Sequence, residues 1–164
     1  MALVNAMKTL LAVVVSAFAV SFANAADKKD EVPRGAYTPA TYEDAKTKAT
    51  SEKKLIVYMW SQMNSSCPMC EAGTTAALKA FKNNKKYVLV FGSGDSSDHA
   101  PASLRESLSE ATTKVGNSMP LVMIVDPANE KSLASACYKQ FAKDDRIWKK
   151  IQKEAETAAG MDKK

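Results

Sequence analysis

The chain has 164 residues, enough for one domain but not for two of ordinary size. Its hydrophobic content of 46% and charged content of 25% are those of a globular protein. The formal net charge is +5, and the lysines are spread in pairs along the chain without interleaved aromatic residues. This pattern excludes a nucleic-acid platform and predicts a solvated basic surface instead.

Residues 1–25 are typical of an export signal peptide. Lys8 supplies the positive charge, residues 10–20 form an apolar core, and Ala23-Asn24-Ala25 is a small-residue cleavage pattern. The apolar run is shorter than the roughly 20 residues that a membrane-spanning helix needs. We therefore expect cleavage after Ala25, no stable membrane insertion afterwards, and a periplasmic or secreted protein, where disulfides persist.

The first half of the mature chain predicts a helix, a strand and a second helix. Residues 26–39 are polar, contain proline and glycine, and predict a flexible lead. A short helix follows from about Thr41 to Ser51. The uninterrupted apolar run Leu55–Trp60 is typical of a strand buried on both faces. A polar turn then leads into a helical segment from Glu71 to Lys82.

The second half continues the alternation of strands and helices. The predicted strands are Tyr87–Phe91, Leu121–Val125 and a short edge strand at Leu133–Tyr138; the predicted helices are Leu104–Val115 and Asp144–Ala158. We place Phe141 with the apolar residues of the final helix. A single domain at 40–158 with a tail at 159–164 is expected. The alternation predicts an α/β sandwich with one sheet and helices on both faces.

The segment Cys67-Pro68-Met69-Cys70 stands between the first strand and the helix after it. Two thiols three positions apart at a helix start are within disulfide reach. The first lies where backbone N–H groups point outward at the positive end of the helix dipole, which favours a thiolate. A thiolate is the species that attacks a disulfide, so the pair predicts redox chemistry. Pro68 suits the first helical position, which needs no N–H.

Zinc binding is the structural alternative for this cysteine pair. Zinc normally needs four ligands, and beyond the pair the chain offers only Cys137 and His99. Neither belongs to a second ligand pair, so we predict no metal and no cofactor. We expect Cys137 to be a small buried residue of an edge strand, the alternatives being a third redox thiol or an intermolecular bridge. His99 is expected to be a solvated loop residue.

Methionines near the cysteines raise a second hypothesis. Met59, Met63 and Met69 surround the pair in sequence, and thiolates with thioethers suit Cu(I). The alternative function is therefore a periplasmic copper-binding or copper-delivery protein. The other interpretation places Met59 in the core and lets Met63 and Met69 shape an apolar client groove. A binding module with a static disulfide is a third possibility, and the sequence leaves these open.

Two motifs together give a family resemblance. The order strand, turn, Cys67–Cys70, helix, followed about 50 residues later by Ser118-Met119-Pro120 opening a strand, resembles the thioredoxin-like family over residues 40–158. The resemblance implies a thioredoxin-like three-layer α/β/α sandwich with a central mixed sheet. It also implies that Pro120 is a cis-proline facing the cysteine pair.

The resemblance also implies roles for individual residues. Cys67 would attack a client disulfide, and Cys70 would resolve the mixed disulfide. The substrate groove would be lined by Pro68, Met69, Met119 and Pro120. Partners would be exported cysteine-containing proteins or a redox partner protein. Two positions depart from the family pattern, because Ser66 replaces a tryptophan and Tyr58 replaces a carboxylate.

Overall fold

A computed structural model of the chain describes residues 32–62, 66–94 and 100–161. The predicted signal peptide, Met63 and His99 lie outside these residues. Within the three described ranges, no helix combines the length and the apolar character needed to cross a membrane.

The sheet has four strands in the order β2-β1-β3-β4. Their bounds are Leu55–Trp60 for β1, Tyr87–Gly92 for β2, Leu121–Val125 for β3 and Ser132–Cys137 for β4. Strand β1 runs parallel to β2 and antiparallel to β3, and β4 is antiparallel to β3. A parallel pair needs a long crossover connection, which the helix between β1 and β2 supplies.

Strands β1, β2 and β3 are buried on both faces, as their unbroken apolar runs predict. Successive side chains of a strand point to opposite faces, so each strand contributes to two separate core clusters. In β1, Ile56, Tyr58 and Trp60 belong to one cluster, while Leu55, Val57 and Met59 belong to the other. The sheet therefore needs helices on both sides to cover it.

Five α-helices within the described residues provide that cover. Their bounds are Tyr42–Ser51 for α1, Pro68–Phe81 for α2, Arg105–Val115 for α3, Tyr138–Phe141 for α4 and Ile147–Ala158 for α5. Buried residues of α1 and α3 belong to one core cluster, and those of α2 and α5 belong to the other. The predicted three-layer α/β/α sandwich with a mixed sheet is confirmed.

The end of the chain differs from the prediction at one point. The final helix begins at Ile147 rather than Asp144, and Phe141 lies on the separate helix α4. Asp144 accepts the backbone N–H of Arg146 through its side chain, which forms a turn between the two helices. The ring of Phe141 stacks on Trp148 with centroids 5.7 Å apart. Two helices therefore share one apolar face, which the sequence presents as a single periodic run.

Part of the predicted flexible lead packs on the sheet. The N–H of Tyr37 donates to Leu89 O, and the N–H of Phe91 donates to Tyr37 O, both at 2.8 Å. These bonds form a parallel bridge beside β2, and Pro33 is buried. An open strand edge exposes unpaired backbone groups, so this segment covers the outer edge of β2.

Candidate active site

Cys67 is the N-cap residue of α2. Its backbone is extended, with φ −92° and ψ 103°, and Pro68 is the first helical residue. The Cys67 Sγ accepts the backbone N–H of Cys70 at 3.2 Å. The sulfur thus takes the place of the side-chain oxygen that usually satisfies an N–H group at a helix start. Neither Cys67 nor Cys70 is part of a disulfide in this structure.

The two thiols differ in acidity. Hydrogen bonds from the Cys70 thiol and from the Cys70 backbone N–H lower the pKa of Cys67. The hydrogen bond to Cys67 raises the pKa of Cys70, and burial adds to that shift. The partly exposed Cys67 is therefore the thiol that ionises first, while Cys70 keeps its proton. Hydrogen bonding and burial thus separate the acidities of the two thiols.

A pair of buried hydroxyls supports the backbone of Cys70. The Thr74 hydroxyl donates to Cys70 O at 2.8 Å and is hydrogen-bonded to the Ser61 hydroxyl. Ser61 is fully buried, and its N–H donates to Gly92 O at 3.0 Å. The first turn of α2 is thus tied to the ends of β1 and β2. Sequence reasoning missed this role, because a threonine near a helix start indicates only weak helix propensity.

The Met119–Pro120 peptide bond is cis, as the resemblance implied. Pro120 is buried against Gly73, which lies one helical turn after Cys70. An ideal Cβ built on Gly73 would be 2.8 Å from Pro120 Cδ. The start of β3 therefore lies alongside the first turns of the helix that carries both thiols.

The four predicted groove residues differ in exposure. Pro68 and Met69 are exposed, and Met69, at 60%, is the exposed large hydrophobic residue in the part of the chain that the structure describes. Met119 is half-buried and packs against a core cluster, and Pro120 is buried. The structure places Pro120 beside α2 and leaves Met69 open to solvent next to Cys70.

Tyr138 also belongs to this region, and the sequence did not indicate it. Its N–H donates to Ser118 O at 3.3 Å. Its ring Cδ2 is 2.9 Å from the Cβ position of Gly73, and the side chain is half-buried. The pairing of Leu121 with Cys137 brings the end of β4 to the start of β3. The position of Tyr138 beside Gly73 follows from this strand pairing, and no sequence motif around Tyr138 indicates it.

Three further residues that the sequence analysis discussed, Tyr58, Cys137 and Met59, are all buried in the structure. Tyr58 is buried, and burial raises its pKa to about 12, so it is a neutral phenol at neutral pH. Cys137 is buried in the edge strand β4 and donates to Val115 O at 3.0 Å, which confirms its interpretation as a small buried residue. Met59 is buried in the core, as one of the two interpretations predicted.

The residues that the structure describes contain no group of three or more histidine, cysteine, aspartate or glutamate side chains arranged to hold a metal ion.

The strand order and directions decide the fold. A parallel pair, β2 and β1, is extended by the antiparallel strands β3 and β4. The cysteine pair opens the helix after β1, and a cis-proline precedes β3. The protein has a thioredoxin-like fold. In this fold the residues after β1 and before β3 meet at one end of the sheet.

Comparison with known proteins gives structural neighbours. No family model and no curated protein matches the chain. Tryparedoxin I from Crithidia fasciculata is similar, with 19% identity and a TM-score of 0.36 over 59% of this chain and 78% of that one. DsbH oxidoreductase has 15% identity and a TM-score of 0.37 over 76% and 94%. Tryparedoxin II from C. fasciculata has 18% identity and a TM-score of 0.34 over 59% and 74%.

Proposed function

We propose that this protein is an exported thiol–disulfide oxidoreductase in which Cys67 is the nucleophile. The observation that carries the proposal is the position of the Cys67 sulfur at the start of α2. The sulfur is partly accessible, accepts the Cys70 N–H at 3.2 Å, and has a lowered pKa. These are the conditions under which a cysteine forms the attacking thiolate.

The first step joins Cys67 to a client. The Cys67 thiolate attacks one sulfur of a client disulfide, a new S–S bond forms, and the old one breaks. The second client sulfur leaves as a thiolate and takes up a proton from solvent. The product is a mixed disulfide in which Cys67 has replaced one client sulfur.

The second step releases the client. Cys70 loses its proton and attacks the Cys67 Sγ, so that the intramolecular disulfide forms and the first client sulfur leaves as a thiolate. The client has then gained two electrons, and the cysteine pair has lost two. The same steps run backwards when the pair oxidises a client, and the reduction potentials set the direction.

The groove beside the pair would receive the client. In the proposal, an extended client segment lies along Met119, with Pro68 and the exposed Met69 providing apolar contact. Pro120 is buried against α2 and would form the base of this region. Clients would be exported cysteine-containing proteins or a redox partner protein.

The proposed export predicts cleavage of the signal peptide. Removal of residues 1–25 would leave Ala26 as the mature N-terminus, which mass spectrometry of the exported protein would detect.

Turnover of a model disulfide tests the assignment. The reduced protein should reduce the disulfide, Cys67→Ser should lose this activity, and Cys70→Ser should accumulate mixed disulfides. Cys137→Ala is the matched control and should keep the activity, because Cys137 is buried in β4. Activity retained by Cys67→Ser would reject the proposal.

The reduction potential of the pair separates an exchanger from a static bridge. A value between about −120 and −270 mV is typical of exchanging pairs, and one below about −300 mV is typical of structural disulfides. We expect the first range, because a lowered Cys67 pKa stabilises the reduced form at neutral pH. A potential in the second range would contradict the proposed function.

A further inference from the structure

Lysines from three separate stretches of the chain meet at one end of the sheet. Lys48 of α1, Lys54 before β1, and Lys82 and Lys85 after α2 line a cavity of about 220 Å³. We call this the basic cavity. These lysines are dispersed along the sequence, and the fold brings them together within the predicted solvated basic surface. The fold brings four lysines to one concave surface, where Lys48, Lys82 and Lys85 are exposed and Lys54 is half-buried.

The basic cavity lies at the end of the sheet opposite the cysteines. Its wall includes Tyr87 at the first position of β2, next to Leu55 at the first position of β1. Cys67 follows the other end of β1. A strand of this length spans roughly 17–20 Å, so the two regions are separate. A ligand in the basic cavity would not contact the thiols.

Polar donors surround the cavity besides the ammonium groups. The side chains of Asn83 and Asn84 form part of the wall. The Asn84 Oδ1 accepts the N–H of Lys86 at 3.1 Å, so its amide nitrogen is the side-chain group left to donate. The Lys48 ammonium lies 5.8 Å from the centroid of the Tyr37 ring, which holds it over the wall by a cation–π contact.

The negative charges nearby do not balance these lysines. Of the residues that line the cavity, none is acidic. Glu52 pairs with Lys54 from outside the lining, and Glu156 pairs with the flanking Lys86. Among the described residues, Lys48, Lys82 and Lys85 have no carboxylate at ion-pair distance, and the charge of Glu52 acts on Lys48 from farther away. The lysines around the cavity repel one another, and a bound anion would attract all of them and offset that repulsion.

We propose that the basic cavity binds a phosphate group, as free phosphate or pyrophosphate or as part of a phosphate-bearing small molecule or lipid. Several ammonium groups favour a multivalent anion over a monovalent one, and lysine binds phosphate as a point charge without demanding one orientation. A concave volume of about 220 Å³ is the size for a small group rather than an extended polymer. This site is independent of the proposed thiol chemistry.

Calorimetric titration with inorganic pyrophosphate at fixed ionic strength tests the proposal. We expect saturable binding to one site. The double variant Lys82→Gln/Lys85→Gln should weaken it by about fivefold or more, since two charge-assisted contacts are lost. The control Lys149→Gln/Lys153→Gln removes the same charge from exposed positions of α5 and should bind like the native chain. Glu52→Gln should tighten binding, because it releases Lys54 from its ion pair.

The source of the phosphate group is distinguished by a second arm with phosphatidylcholine vesicles containing phosphatidic acid. Binding in either arm that Lys82→Gln/Lys85→Gln weakens and the control does not would support the proposal. Equal weakening by both double variants would show general charge screening and overturn it. Absence of saturable binding in both arms would overturn it as well. Unchanged affinity in Cys67→Ser would show that the site does not depend on the redox pair.

Discussion

Gly73 lies so close to Pro120 that an added Cβ would be 2.8 Å from the proline Cδ. The same Cβ would be 2.9 Å from Tyr138 Cδ2. Helix α2 thus approaches the start of β3 through a residue without a side chain, one turn after Cys70. The glycine is required by this close approach rather than by its backbone angles. The contact fixes the cis-proline beside the helix that carries the thiols.

Gly73→Ala should destabilise the protein and slow disulfide exchange. Overpacking costs about 1–3 kcal/mol, and the better helix propensity of alanine returns at most about 1 kcal/mol. We expect a net loss of up to about 2 kcal/mol in urea denaturation of the reduced protein. The exposed Ala72→Ser is the control and should change stability by about 0.5 kcal/mol or less. A stabilised Gly73→Ala variant would contradict this prediction, because it would show that Pro120 and Tyr138 can shift to accommodate the added methyl group at little cost.

Thr74→Val should destabilise the protein, because it removes one hydroxyl of the buried Ser61–Thr74 pair. Valine keeps the shape but removes the bonds to Cys70 O and to the Ser61 hydroxyl. Leaving a buried polar group without its partner costs about 1–3 kcal/mol, which denaturant unfolding would measure. Thr74→Ser keeps the hydroxyl and should cost less. Combining Thr74→Val with Ser61→Ala should cost less than the sum of the single changes, because both polar partners are then removed. Full additivity would contradict the coupling.

The reaction of Cys67 with iodoacetamide should show its acidity. Only the thiolate reacts, so the rate should rise with pH and reach half its maximum at a lower pH than for an unperturbed cysteine, because hydrogen bonds lower the pKa of Cys67. Cys70→Ala removes the largest cause of the lowered pKa and should move the midpoint upward. Cys137→Ala should leave it unchanged. Peptide mapping would assign the modified residue, and an unshifted midpoint in Cys70→Ala would disprove the role of its thiol.

Glu130 should make stability depend on pH. Its carboxylate lies 3.2 Å from the Lys46 ammonium, which links the β3–β4 turn to α1. Burial raises its pKa, but the Ser103 hydroxyl and the Lys46 ammonium outweigh that effect and lower it. A lowered folded-state pKa contributes stability that is present above the unfolded value of about 4.3 and is lost as the pH falls through the folded value.

Glu130→Gln should therefore unfold at a lower urea concentration than the native chain at pH 7. The difference should shrink as the pH falls below about 4, where the native carboxyl becomes protonated. The exposed Glu110→Gln serves as the control and should show little change at either pH. A difference that is constant with pH would indicate a packing effect rather than a charge effect.

The central strands could be predicted from the sequence with almost no error. The bounds of β1 and β3 agree with the apolar runs Leu55–Trp60 and Leu121–Val125. A strand made of an unbroken run of apolar residues is stable only when both of its faces are covered. The burial of these strands can therefore be predicted from the run itself. The position of the thiol pair at a helix start is local in the same way. The cis bond before Pro120 followed from the family resemblance and not from the residues themselves.

The break between α4 and α5 could not be predicted from the local sequence. Phe141 and Trp148 are stacked in space, and the sequence shows them as members of one apolar series. Tyr138 and the Ser61–Thr74 pair were missed for a related reason. Their partners lie 13 or more positions away, and only strand pairing and helix packing bring them together.

The sequence by itself determined the α/β alternation, the buried strands and the reactive pair, because hydrophobic periodicity and helix-end electrostatics act over a few residues. The tertiary structure alone decided which distant residues became neighbours. It placed Pro120 and Tyr138 against Gly73, and it gathered dispersed lysines into the basic cavity. Contacts of this kind depend on how strands pair and how helices cross over, and a linear pattern of residue types does not contain that information.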